Sequence, residues 1–193
     1  MKRVLFFLSL LCLKVVSPEP CNQGNYIVVH GSKFTLELYD QYDHLIKSYP
    51  VGLGKNGLGK TKWGDVKTPR GEYKILWKAS RFAETDGGYS IEEDRAFCGP
   101  KNIFTADPRI GLSDEKLWTE DYGGKDAVVM GLNYPNEAER AQGYTGECIE
   151  IHASLHGGIG QNASAGCVRM LPADARDLYQ YVDVGTQVII QEN

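Results

Sequence analysis

The chain lacks any apolar run long enough to cross a bilayer. Its longest, Val4 to Leu13, stops at Lys14, well short of the ~20 residues a spanning helix needs. It also lacks a basic stripe: 21 Lys and Arg are outnumbered by 25 Asp and Glu, and the formal charge is −4. Phosphate contacts need clustered cations, so nucleic acid is excluded as a partner. There is no internal repeat, which removes solenoids and propellers. Proline is scarce, with 8 residues, while 42% of the chain is hydrophobic. That balance excludes a disordered or low-complexity chain and suits one globular domain.

What the first residues do contain is a basic pair, Lys2 and Arg3, ahead of the Val4–Leu13 run. This pattern is expected of an export signal spanning residues 1–17. Val15-Val16-Ser17 supplies small residues near a cleavage point, and Leu8 to Cys12 faintly resembles a lipoprotein site. The segment is either removed or kept as an anchor, which would be the protein's one link to a membrane. Its removal would take three cations and move the charge to −7.

Five cysteines stand at 12, 21, 98, 148 and 167. Loss of Cys12 with the signal would leave four, enough for two disulfides in an oxidising compartment, or for one pair and one thiol kept for chemistry beside a spare.

From Asn25 onward the pattern is that of strands. Tyr26–His30 is β-rich, Phe34–Tyr39 alternates with period two, and His44–Val51 and Glu72–Trp77 read the same way. Residues 79–146 are less regular and rich in Gly, acids and aromatics (Trp118, Tyr122, Tyr134, Tyr144), with a strand expected at Ala127–Met130. Such a stretch is expected to be an insertion or lid. From Cys148 to His156 the chain alternates, with Ile149, Ile151, Ala153 and Leu155 on one face and Cys148, Glu150, His152, Ser154 and His156 on the other. Gly157–Gly166 is small and polar, hence a loop. A single helix is predicted near the C-terminus, with Pro172 in its first turn and Leu171, Ala175, Leu178, Tyr179 and Val182 at helical spacing. A closing strand follows at Thr186–Gln191. The fold class is mainly β.

Three constellations carry chemistry. Gly54–Thr61 satisfies the Walker A pattern at every position, but the motif works only when a helix follows it. Two glycines and a proline in the next ten residues forbid that helix. Cys148, His152, His156 and Cys167 have the donor chemistry of a zinc site. Residues four apart on a strand are separated by ~13 Å, however, too far for one tetrahedral ion. No metal or cofactor is therefore expected.

The third constellation is His152 with Cys167. A thiol needs a base to become a nucleophile, and an imidazole can take its proton and return it to a leaving amine. Ser164-Ala165-Gly166 precedes Cys167, so unobstructed backbone N–H groups are available to an oxyanion. Arg169 lies two residues further, on the face of Cys167 if the chain is extended, where a guanidinium can grip a carboxylate. Alone, these residues fit equally a buried cysteine, a hydrogen-bonded histidine and a surface arginine.

Ile151-His152, Ile159-Gly160 and Ser164-Ala165-Gly166-Cys167-Val168-Arg169-Met170 resemble the signature of the L,D-transpeptidase catalytic domain family (YkuD type). Tyr49-Pro50-Val51-Gly52, Thr68-Pro69-Arg70-Gly71-Glu72-Tyr73 and Gly185-Thr186-Gln187-Val188 are similar to its flanking segments. The resemblance covers residues 25–191, least well over 79–146. It implies a β-sandwich-like fold with one C-terminal-region helix and an irregular lid insertion. It also implies Cys167 as acylated nucleophile, His152 as base, Arg169 at the substrate, and Gly166 and Ser164 shaping the oxyanion site. Its substrate would be a peptidoglycan tetrapeptide stem, met in the periplasm or elsewhere outside the cytoplasm.

The sequence departs from the family at Ala153, where Gly or Ser is usual, and at Ala165. His156-Gly157 restores a His-Gly pair, at a spacing to Cys167 shorter than the pattern. The sequon Asn162-Ala163-Ser164 lies on the proposed active-site loop, so an unglycosylated protein is expected. A carboxypeptidase that uses water as acceptor, or a peptidoglycan-binding module without catalysis, would share most of these features.

Overall fold

A computed structural model describes residues 24–80, 122–124, 127–146 and 149–193. The expected signal, Cys12, Cys21, Cys98, Cys148 and Trp118 lie outside the described residues.

Among the described residues, nine strands and two helices follow in order: β1 (Tyr26–His30), β2 (Thr35–Tyr39), β3 (Leu45–Gly54), β4 (Gly71–Ser80), β5 (Val128–Leu132), α1 (Glu137–Ala141), β6 (Glu150–Ala153), β7 (Asn162–Ser164), β8 (Val168–Met170), α2 (Pro172–Tyr179) and β9 (Gln187–Gln191). They form one sheet in the order β2-β1-β9-β4-β5-β6-β8-β3-β7, and an additional β2–β3 pairing closes it on itself.

The two longest strands make the corners. β3 pairs with β2 through Leu45–Pro50, then with β8 through Val51 and Gly52. β4 pairs with β9 through Gly71–Lys74 and with β5 from Ile75 onward. Strands that change partners midway turn a closed sheet into two facing layers. The result is a mainly β, sandwich-like barrel. Its interior is apolar because each strand turns alternate residues inward, among them Ile27, Leu38, Val51, Ile75, Met130 and Ile151.

The helix expected at the C-terminal end is α2, with Pro172 in its first turn. Its buried Ala175 and Leu178 join the same apolar cluster as Ile151 and Met170. α1 was not legible from apolar spacing, since none of its five residues is buried. It is held by its N-terminus instead: Asn136 accepts from the Glu139 N–H, and Glu139 returns the bond to the Asn136 N–H.

Two sequence readings change. The stretch 79–146 is not wholly an insertion, because β5 lies between β4 and β6 and is buried along its length. Tyr134 from that stretch packs in the core, edge-on to Tyr73 at 5.9 Å between ring centroids. The loop 157–166 likewise contains β7, three residues too short to show a period, paired with the end of β3.

Candidate active site

The site begins with strand parity. In β6, Ile151 and Ala153 face the core, so Glu150 and His152 face the other way. β8 runs parallel to β6 with Ile151 opposite Val168, His152 opposite Arg169 and Ala153 opposite Met170. Arg169 therefore shares the face of His152. Cys167, two residues before Arg169, falls on that face as well. Donor atoms of Glu150, His152 and Cys167 all lie within 4.8 Å of one another.

His152 is buried, and its Nδ1 lies 2.7 Å from the Ala153 carbonyl oxygen. A carbonyl only accepts, so Nδ1 carries the proton and Nε2 keeps the lone pair. Burial pulls the imidazole pKa from 6.5 to about 4, helped by the nearby Arg169 charge and opposed by the Ala153 hydrogen bond. At neutral pH the group is thus an uncharged base. His156, the other histidine weighed for this role, is exposed and lies beyond the end of β6.

The turn before Cys167 is fixed by Ser164. Its Oγ accepts from the Gly166 N–H at 3.0 Å and donates to the Cys167 carbonyl at 2.6 Å. Gly166 has φ +144°, and a Cβ there would stand 2.8 Å from the Lys67 carbonyl oxygen. Only glycine fits that combination. One expectation is refined here: the Gly166 N–H is engaged by Ser164, so Gly166 shapes the turn and is not an idle donor.

The Gly54–Thr61 segment, with its nucleotide-loop pattern, proves to be a support for this turn. No helix follows it before β4. Lys60, which a phosphate would claim, is buried against Asp65 with Nζ–Oδ1 2.9 Å. Asp65 also accepts from the N–H groups of Thr61, Lys62 and Lys67, which holds its carboxyl down at about 2. Val66 sits at φ +59°, unusual for a β-branched residue. The Lys55 N–H donates to the Ser164 carbonyl at 2.9 Å.

Sequence reasoning missed three contributors. Glu150 is fully buried on the floor of the site. Tyr122 donates its hydroxyl to Glu150 Oε2 at 3.2 Å and lays its ring 4.4 Å from the imidazole, centroid to centroid. Trp77 fills the space over Gly131, where a Cβ would come within 2.1 Å of the indole. Gly131 stands opposite Glu150 in the β5–β6 pairing. Glu150 was visible as the charged residue sharing a face with His152, whereas nothing in local sequence links Tyr122 or Trp77 to the site. Glu150, His152 and Cys167 carry donors that a divalent ion accepts. A thiol bound that way would no longer be available as a nucleophile.

A profile of the L,D-transpeptidase catalytic domain (YkuD) matches residues 24–190. No curated protein sequence is significantly similar. Among solved structures, the helical cell shape determining protein Pgp2 from Campylobacter jejuni aligns with TM-score 0.57 and 20% identity, over 89% of this chain and 49% of that one. Bd1075 from Bdellovibrio bacteriovorus aligns with TM-score 0.55 and 20% identity, over 88% and 47%. L,D-transpeptidase 3 from Mycobacterium tuberculosis aligns with TM-score 0.50 and 19% identity, over 88% and 61%. The chain spans about half the length of the first two. At these identities the likeness is one of fold.

Proposed function

Because the chain belongs to the L,D-transpeptidase catalytic domain family, we propose that it is an exported cysteine acyltransferase acting on peptidoglycan tetrapeptide stems. The observation that carries this reading is the pairing of His152 with Cys167 on one face of a parallel strand pair, with Nδ1 committed to a carbonyl.

Nε2 of His152 takes the Cys167 thiol proton as Sγ attacks the carbonyl of the third, diamino residue. The tetrahedral intermediate collapses with cleavage of the bond to the terminal D-Ala. The imidazolium gives its proton to the departing amine, leaving a thioester on Cys167. An amine from a second stem then attacks the thioester, His152 accepts its proton, and the thiol is restored. Arg169, half-buried beside the base, would hold a stem carboxylate. Ser164 and Gly166 set the backbone at Cys167 for the oxyanion. The chemistry uses only these side chains and the backbone.

Export through residues 1–17 would bring the enzyme to its polymer. A lid drawn from the 79–146 stretch, apart from β4, β5 and the buried Tyr122 and Tyr134, would favour amine over water by excluding solvent. With water as acceptor the same site trims tetrapeptide to tripeptide.

The test is mass spectrometry of tetrapeptide muropeptides incubated with the protein and with Cys167→Ala. Cross-linked dimers or D-amino-acid exchange products, lost in the variant, are expected. Tripeptide alone would make it a carboxypeptidase. Absence of any Cys167-dependent product would reduce the domain to a binding module.

A further inference from the structure

We propose that Glu150 and Tyr122 form a positioning pair, in which the carboxyl holds the tyrosine ring against His152 and so keeps the base aimed at Cys167. This inference rests on the cysteine–histidine reading above and adds two residues to it.

The geometry is that of a strut. Glu150 and His152 are two apart on one strand, so their backbone positions stand about 7 Å apart on one face while their donor atoms converge within 4.8 Å. Tyr122 contacts both, with its hydroxyl on Glu150 Oε2 at 3.2 Å and its ring centroid 4.4 Å from that of His152. It reaches β6 from the segment before β5, and it is itself buried. The Ala153 carbonyl fixes one edge of the imidazole. The tyrosine ring packs against the imidazole at a tilt of 51°, and by excluding water on that side it contributes to the burial that keeps the base uncharged.

A carboxyl is a poor choice for mere packing at this position. Glu150 is wholly inaccessible to solvent, between Ile149 and Ile151 in sequence and opposite a glycine roofed by Trp77. Burying a carboxyl is costly unless it makes specific bonds, and an aliphatic side chain would suit a buried strand better. What a carboxyl supplies and an aliphatic group lacks is an acceptor for the Tyr122 hydroxyl. The Tyr122–Glu150 bond thus ties the polarity of the floor to the placement of the ring.

The test is the rate at which iodoacetamide alkylates Cys167 in the full chain, followed by peptide mass spectrometry. This readout needs the dyad and no peptidoglycan. Tyr122→Phe keeps the ring and removes its bond to Glu150. Glu150→Ala removes the acceptor, and Glu150→Gln restores a neutral one.

Alkylation is expected to fall about tenfold in Tyr122→Phe and in Glu150→Ala, with the double variant no slower than either. Glu150→Gln is expected within about threefold of the parent, because an amide oxygen still accepts the hydroxyl. A purely structural role would lower the melting temperature of Glu150→Ala without changing alkylation at a temperature where the protein is folded. Parent-like alkylation in Tyr122→Phe would overturn the proposal. So would a Glu150→Gln variant as slow as Glu150→Ala, since charge and not placement would then be what matters. If Glu150→Ala fails to fold, the Tyr122→Phe and Glu150→Gln rates decide alone. A parent that alkylates in a His152-dependent way yet leaves muropeptides untouched would refute the substrate reading and leave the pair standing.

Discussion

Acid should destabilise this protein chiefly through one side chain. His152 is buried as the neutral base, with its pKa pulled from 6.5 to about 4. A histidine depressed in the folded state contributes its full stability above the unfolded pKa and loses it as pH falls toward the folded one. Between pH 7 and pH 4 the unfolded chain takes up about three quarters of a proton at this position, and the folded chain about half of one. Integrated over that interval, the loss is about 3 kcal/mol. That is a large share of the 5–15 kcal/mol typical of a domain.

Urea unfolding at pH 7 and pH 4 measures it directly, with His152→Gln as the control that cannot titrate there. Carboxylates such as Asp65 lose stability in both proteins and cancel in the comparison. The parent should lose about 3 kcal/mol more than the variant across the interval. Equal losses would mean that His152 titrates at its ordinary value, and the burial argument would fail. The same depression keeps the imidazole neutral well below pH 6.5, so alkylation of Cys167 should show no step near pH 6.5.

Other outcomes follow from the supports of the site. Gly166→Ala should cost more than ~2 kcal/mol and slow Cys167 alkylation, because a side chain at φ +144° also meets the Lys67 carbonyl; thermal melts and alkylation rates check both. Lys60→Met should destabilise by about 3 kcal/mol in urea titrations, at the low end for a broken buried pair, since three backbone N–H groups still serve Asp65. Val66→Asn should stabilise by about 1 kcal/mol in the same titrations, as asparagine tolerates the left-handed region that Val66 occupies. His156→Ala should leave Cys167 alkylation within about twofold of the parent, because that ring is exposed and off the strand.

The parts of this architecture that repeat with a short period were legible in the sequence. β-rich composition marked β1, alternation marked β2 and the face of β6 that carries His152, and 3.6-residue spacing marked α2. Elements shorter than about one period escaped, as β7 did. α1 has no apolar stripe, yet its Asn136-x-x-Glu139 capping pair was present to be read. His152 and Cys167 were recognisable because their neighbours in sequence form a signature. Tyr122 and Trp77 were not, since what brings them to the site is packing between residues far apart in the chain. Burial of the Lys60–Asp65 pair was hidden for the same reason, which is why a phosphate-loop pattern had to be judged on its flanks alone.

The parallel pairing of β6 with β8 has a consequence for how this domain can diverge. Two side chains on hydrogen-bonded neighbours keep their separation whatever path the chain takes between them. That path is tethered at Gly160 and Gln161, whose backbone bonds reach Val51 and Leu53, while Leu155, His156 and Gly157 stand exposed ahead of the tethers. Insertions at 155–157 would therefore alter the rim of the site and spare its reactive centre. Under the proposed function, acceptor preference could change there without moving Cys167 or His152, and the same three positions are where a selection for altered specificity should place its diversity.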